Sequence, residues 1–291
     1  MGWLPGRRKT AASGNATDQG GAVQGRLGII AGGGTLPVLL ADAYPDAYCL
    51  TFEGTDCALP DEILTRYRYE KLGSVFTALR AEGITRIVMA GATTRPHLDM
   101  KQLDFTVMSL APRVMKAMGT GRDDALLRLV ISVFEEQGFS VVGAHDLLPA
   151  LTASAGLLSG APLSKEARVD SARGRDILEG LAPLDVSQGC VVAGGLCLGI
   201  ETIQGTDAML RFVAQTPDRL RRGRGVLCKF PKSGQDLRVD MPAIGPDTLR
   251  RAAEAGLEGI VIAAGRVLLI DRDVLLPLAD ELGLTILAEE V

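Results

Sequence analysis

From Arg26 onward the chain repeats one rhythm: a short apolar run, a glycine-bearing turn, then an amphipathic stretch of helical period. Short apolar runs bounded by turn residues read as buried strands. Strands that alternate with helices pair in parallel, because a crossover helix is what carries the chain back to the same end of a sheet. The rhythm therefore points to an α/β architecture. RLGIIA at 26–31 reads as the first buried strand, followed by the turn GGG at 32–34 and a helix opening near Pro37, a good first-turn residue. AYCLTFEG at 47–54 is a second strand, SVFTALRAEG at 74–83 a helix and RIVMAG at 86–91 a further strand. DDALLRLVISVFEEQG at 123–138 is an amphipathic helix with acids at its start and Gly138 at its end, as dipole and capping preferences favour. FSVVGAHDLL at 139–148 returns as a strand.

A chain of 291 residues with 47% hydrophobic content is long enough for two cores. The spacing predicts a first domain over 26–150, a small, polar, Gly/Pro-containing linker over 151–165 and a second domain over 166–291. In the second domain, helices are expected at 166–181, 206–215, 247–255 and 273–282. Strands are expected at 190–203, 225–230, 259–263, 267–270 and 284–288, in a parallel or mixed sheet. Residues 1–25 are polar and rich in Gly, Ala and Ser, which reads as a disordered tail without the apolar core of a signal peptide. The best apolar stretch, GIVIAAGRVLLI, is interrupted by Arg266, so no bilayer span is expected. Five cysteines without a C-x-x-C pair fit free thiols in a reducing cytoplasm. A net charge of −4 gives no electrostatic case for nucleic acid as a partner.

Several stretches could carry chemistry, each with a plainer alternative. The glycines of GIIAGGGTLP let backbone N–H groups approach a phosphate, and Glu53 ends the second strand where a dinucleotide fold puts its ribose carboxylate. Pro37 breaks that fingerprint, and a tight structural turn explains the glycines as well. GATTRPHLDMK at 91–101 leaves the end of a strand, where ligands bind parallel sheets, and offers Thr93, Thr94, Arg95 and His97; it also reads as a Pro-terminated surface turn. IETIQGTDAMLR at 200–211 gathers Glu201, Gln204 and Asp207 where Mg²⁺ or a hydroxylated substrate could sit, although Thr206 or Asp207 could simply cap the following helix. Met100, Met108, Met115 and Met118, with Phe105 and Leu110, suit either a core or an acyl-chain groove. KFPKSGQDLRVDMPAIGPDT at 229–248 crowds both signs of charge, as a solvated loop or a phosphate site would. His97 and His145 are the only histidines. No H-E-x-x-H, G-x-x-x-x-G-K-[ST] or G-x-S-x-G motif is present, so phosphate chemistry would fall to carboxylates, lysines, backbone amides and Mg²⁺.

Taken in order, GIIAGGGTLP, GRDDALLR, GAHDLLP, QGTDAML and the pattern K-x-P-K-x-x-Q-D-x-R-x-D-x-P-x-I-G at 229–245 resemble the LpxI family, UDP-2,3-diacylglucosamine pyrophosphatases of the lipid A pathway. The resemblance runs over about residues 26–290. It implies a Rossmann-like first domain, a second α/β domain and a lipid product, lipid X, bound between them. It also implies Mg²⁺-dependent hydrolysis to UMP and 2,3-diacylglucosamine 1-phosphate, with water attacking the phosphorus nearer the sugar. The critical aspartate of R-x-D-x-P would be Asp240. On that basis Lys229, Lys232 and Arg238 are expected to face the phosphates, and Asp240, Asp207 and Glu201 to hold metal or water. Gly32, Gly33, Gly34, Thr93, Thr94, Gln188, Thr206 and Asp207 are expected to contact substrate. Transient contact with the inner-membrane surface and a homodimer are further expectations. A nicotinamide-dependent oxidoreductase and a non-catalytic lipid or nucleotide sensor stay open as alternatives.

Overall fold

RLGIIA folds as β1 (Arg26–Ala31), buried at every position after Arg26, as a central strand covered on both faces must be. The computed structural model describes residues 25–93, 98–119 and 123–291. The expected N-terminal tail, Thr94, Arg95, His97 and the start of GRDDALLR lie outside the described residues. After β1 come α1 (Leu36–Ala43), β2 (Tyr48–Phe52), β3 (Leu64–Tyr67), α2 (Leu72–Ala81) and β4 (Ile84–Ala90). Next are α3 (Phe105–Gly119), α4 (Asp123–Glu136), β5 (Ser140–Val142) and α5 (Ala144–Leu147). The five strands form one parallel sheet in the order β3-β2-β1-β4-β5. The chain winds outward from β1 in one direction and then, through β4, in the other. Between β1 and β4 lies the switch point at which open α/β sheets leave a crevice.

The second unit comprises β6 (Gly156–Ser159), α6 (Lys165–Leu181), β7 (Gly189–Ala193), β8 (Leu196–Ile200), α7 (Gly205–Ala214) and β9 (Val226–Lys229). It continues with β10 (Ala243–Ile244), α8 (Pro246–Glu254), β11 (Gly259–Ala263), β12 (Leu268–Leu269), α9 (Arg272–Glu281) and β13 (Thr285–Glu289). Its six-stranded sheet runs β6-β13-β11-β9-β7-β8 and is mixed, parallel through its centre and antiparallel at both sides; β10 and β12 pair separately.

Besides α3 and β10, which no expected element covers, four stretches differ from the sequence expectation. The stretch 151–165 is not a bare linker: it contains β6, an edge strand whose outer half is exposed, and buries Leu151, Ala153 and Leu163. The strand expected at 190–203 is a hairpin. Gly194 and Gly195 both take positive φ, as a two-residue turn between twisted strands requires, and the Asp170 carboxylate accepts both of their N–H groups at 2.9 and 2.7 Å. The strand expected at 139–148 ends at Val142 and turns into α5, where Asp146 accepts the Gly143 N–H at 3.0 Å. β3 carries only one fully buried side chain, so no apolar run announces it.

The two units are stitched together by the second unit's irregular chain. Leu268 sits in the same buried cluster as Leu27, Ile29 and Leu40, and Val239 packs against the cluster of Phe76, Ile87 and Phe134. The segment between β9 and α8 is thereby laid along the crevice of the first sheet.

Candidate active site

The loops that leave β1 and β4 meet at the switch point. Gly33 donates to the Ala92 carbonyl at 2.8 Å, Ala92 returns a bond to Gly33 at 2.9 Å, and Gly32 donates to Ala90 at 2.7 Å. A Cβ on Gly32 would come within 2.4 Å of the Ala92 oxygen, and one on Gly91 within 2.4 Å of the Gly33 oxygen. Loop-to-loop contact therefore explains these glycines. The amides of Gly32 and Gly33, expected to face phosphate, are already spent on backbone carbonyls. Glu53 does not line the crevice; its carboxylate is largely exposed, 3.7 Å from Arg68. The two supports of a dinucleotide reading fail together.

Outward from this bridge opens a cavity of about 790 Å³ bounded by both units. Part of its wall is apolar: Phe52, Phe76, Leu110, Val114, Val130 and Phe134, from β2 and helices α2 to α4. Of the methionine-rich stretch, only Leu110 among the residues singled out reaches the cavity; Met100, Phe105, Met108, Met115 and Met118 point to solvent. The methionines, read as either core or acyl groove, are thus neither buried nor in the cavity, whose apolar wall takes Leu110 and Val114 from the opposite face of α3. The polar wall takes Gly33, Gly34 and Thr93 from the first unit, and Asp207, Arg238, Asp240, Asp247 and Asp271 from the second. Gly32, Gln188, Thr206, Glu201, Lys229 and Lys232 do not line it.

Those six divide by what holds them. Asp240 Oδ2 accepts from Gln235 Nε2 at 2.5 Å. The same amide nitrogen donates to Gln188 Oε1 at 3.1 Å, and Gln235 Oε1 accepts the Lys232 N–H at 2.9 Å. Gln188 therefore supports Asp240 through Gln235 and stands one residue behind the cavity wall. The Lys232 ammonium is turned away to an ion pair with Asp185, both side chains largely buried. Lys229 is buried at the end of β9, bonded to Thr206 Oγ1 and 3.4 Å from Glu201 Oε1, while Thr206 donates to Glu201 at 2.6 Å. This cluster supports the first turn of α7, whose next residue, Asp207, does reach the cavity. The phosphate contacts expected from Lys229 and Lys232 are in this structure buried ion pairs.

Arg238 lines the cavity, yet most of its donors are committed. Nε and Nη2 hold the two Asp236 oxygens at 3.0 and 2.7 Å, and Nη1 reaches Glu135 on α4 at 2.8 Å. The guanidinium holds the Asp236 carboxyl below the usual carboxylate range, and the two carboxylates in turn raise Arg238. The residue clasps the second unit to the first.

Three further residues were missed by sequence reasoning. Gln235 stands inside the most specific motif, but neutral amides carry no charge signal. Asp271 stands at the N-cap position of α9 in a left-handed backbone (φ 52°), and its carboxylate accepts from Thr35 at 3.2 Å, a placement that only the fold reveals. His145 lines the cavity with its Nδ1 buried and unpartnered.

Among the described residues no group of three His, Cys, Asp or Glu side chains converges as a metal site. Glu201, expected as a ligand, is bound to Lys229 and Thr206 instead. Asp207 and Asp240 remain as hard oxygen donors on the cavity wall. Mg²⁺ takes one or two carboxylates and completes its shell with water and substrate phosphates, so the chemistry of either carboxylate suits it. The charge balance points the same way. Among the described lining residues, four aspartates face one arginine and no lysine, an arrangement that repels a diphosphate until a cation is added.

Fold and cavity together define a two-unit α/β protein with a cavity bounded by both units, its wall part hydrocarbon and part carboxylate. The LpxI N-terminal domain model matches residues 26–151 and the LpxI C-terminal domain model residues 154–287, and the chain belongs to the LpxI family. The UDP-2,3-diacylglucosamine pyrophosphatase LpxI of Caulobacter vibrioides is 41% identical over 272 residues, which cover 90% of this chain and 96% of that protein. The matched boundary falls between Leu151 and Ser154, placing β6 with the second unit.

Proposed function

We propose that this protein is a hydrolase that cleaves the pyrophosphate bond of UDP-2,3-diacylglucosamine, releasing UMP and 2,3-diacylglucosamine 1-phosphate. The observation that carries the reading is the cavity itself, which joins an apolar chamber suited to acyl chains to a polar wall centred on Asp240. Hydrolysis of a phosphoric anhydride asks little covalent work of a protein; it asks for charge neutralisation and a water held in line. Asp240, fixed by Gln235, is the group placed to orient that water. Mg²⁺ held by Asp240 and Asp207 would add positive charge to a wall whose described lining residues include only one cation, Arg238. Arg238 keeps the two walls in register and presents the remaining edge of its guanidinium to the phosphates. Gly33, Gly34 and Thr93 close the first-unit side, and burial of the acyl chains against Phe76, Val130 and Phe134 holds the substrate so that the anhydride meets Asp240.

Among the described residues no helix is long and apolar enough to cross a membrane. The proposed place of work is the cytoplasmic side of the inner membrane. Purified protein given UDP-2,3-diacylglucosamine and Mg²⁺ releases UMP, and a chelator stops it. In ¹⁸O water the label enters the sugar phosphate. Asp240→Asn, which keeps the shape and leaves the melting temperature close to that of the parent, lowers kcat by about 10³-fold or more. Full turnover by that variant would refute the role given to Asp240, and binding without any turnover would make the protein a sensor.

A further inference from the structure

The helix α3 presents two apolar faces, and only one is used by the cavity. Leu110 and Val114 look inward, while Phe105, Met108, Met115 and Met118 recur at helical spacing on the outside at 85%, 59%, 74% and 59% exposure, with Met100 at 72% in the turn before them. No residue of α3 is fully buried. A row of large apolar side chains left in solvent is uncommon on a monomer and marks a contact surface.

The charges around the row indicate what covers it. Lys101 and Lys116 are exposed beside it, and the helix itself carries no carboxylate. The two acids just ahead of it are turned to hydrogen bonds. Asp104 accepts the N–H groups of Gly73 and Val107, each at 2.8 Å, and Asp99 accepts the Lys101 N–H at 3.0 Å and Gln102 Nε2 at 2.9 Å. A second copy of the chain would bring the same apolar, lysine-flanked surface and no carboxylate on the helix to answer it. An anionic bilayer surface answers both features, with hydrocarbon for Phe105 and the methionines and headgroup charge for the lysines.

We infer that α3 is a membrane-docking helix that lies in the headgroup region of an anionic bilayer, with its inner face forming the wall of the apolar chamber. The inference rests on the proposed lipid substrate for its purpose, since a diacylated molecule leaving the bilayer would pass a single helix thickness to reach Phe134 and Val130. The surface argument itself stands on α3 alone.

The test is vesicle flotation of the full chain with phosphatidylcholine vesicles, with and without phosphatidylglycerol, beside turnover of detergent-dispersed substrate. The parent protein floats with the anionic vesicles and less so in high salt. The variant Phe105→Ser/Met108→Ser/Met115→Ser, altered only at solvent-facing positions, floats at least about tenfold less, while its micellar turnover and melting temperature stay unchanged. Equal flotation of parent and variant, or no flotation of the parent at all, overturns the inference. So does sedimentation analysis showing a parent dimer that the variant dissolves, which assigns the face to a second copy. Flotation lost in the variant while neither protein hydrolyses the micellar substrate supports the docking face and removes the proposed reaction instead.

Discussion

The two walls of the cavity are built by opposite means. The first-unit wall is mostly hydrocarbon and backbone, with Thr93 and His145 among its polar side chains: it draws on β2, helices α2 to α4, and two loops locked by the Gly33–Ala92 pair. The second-unit wall sets Asp207, Arg238, Asp240, Asp247 and Asp271 among apolar residues such as Val239 and Ile244, and it is braced from behind by charged and amide side chains that hold one another, from Gln188 through Gln235 to Asp240, and from Glu201 through Thr206 and Lys229 to the start of α7. Apolar contact is non-directional and spread over many atoms, so the first wall tolerates a change of shape and loses affinity by degrees. In a buried polar network, removing one partner leaves another without compensation, so the second wall fails abruptly.

The largest effect separating the walls is expected at Lys229. Lys229→Met leaves the buried Glu201 carboxylate unpaired, with one oxygen that already lacks a partner, and costs about 3–5 kcal/mol in urea unfolding. Adding Glu201→Leu restores most of that stability but not turnover, because the start of α7 has lost the bonds that place Asp207. A single variant as stable as the parent would show that water reaches the pair and that the second wall is softer than its geometry implies.

The first wall should answer differently. Val130→Phe narrows the apolar chamber and is expected to raise KM for the diacylated substrate about tenfold while leaving kcat for a deacylated analogue unchanged. A fall in kcat for both substrates would break the division between a binding wall and a reacting wall.

Sequence reading reached the two walls unequally for the same physical reason. The alternation of apolar runs and glycine turns made the α/β class and most elements legible, because each strand is buried locally and announces it; β1 and β11 match to the residue. β3, β6 and α3 were not legible as elements, because an edge strand or a half-exposed helix writes a weaker pattern. In the site, Asp240, Arg238, Asp207, Gly33, Gly34 and Thr93 do reach the cavity. Lys229, Lys232 and Glu201 looked equivalent to them in sequence, since charge is visible there and pairing is not. Glu201 and Lys229 are 28 positions apart, and Lys232 and Asp185 are farther still, so only the fold shows that their charges are already answered. Gln235 escaped for the converse reason, being an uncharged residue whose importance lies in the partners it holds, Asp240, Gln188 and the Lys232 N–H.

The smallest expected effect tests whether the walls share an anchor. Arg238 holds Asp236 in the second unit and Glu135 in the first, and its presence lowers the Asp236 pKa. A carboxylate whose folded pKa lies below its unfolded value, about 3.9, contributes stability above that value and loses it as pH falls through the folded pKa. Arg238→Gln should therefore cost about 1 kcal/mol at neutral pH, a modest figure because the guanidinium is 35% exposed and screened by solvent. The gap between parent and variant in urea midpoints should close as pH falls from the unfolded value of about 3.9 through the lowered folded pKa of Asp236. A gap that stays constant with pH would mean that Asp236 is not what Arg238 holds in solution. The contribution of Arg238 would then rest on the Glu135 contact, the ion pair of the two that crosses between the units.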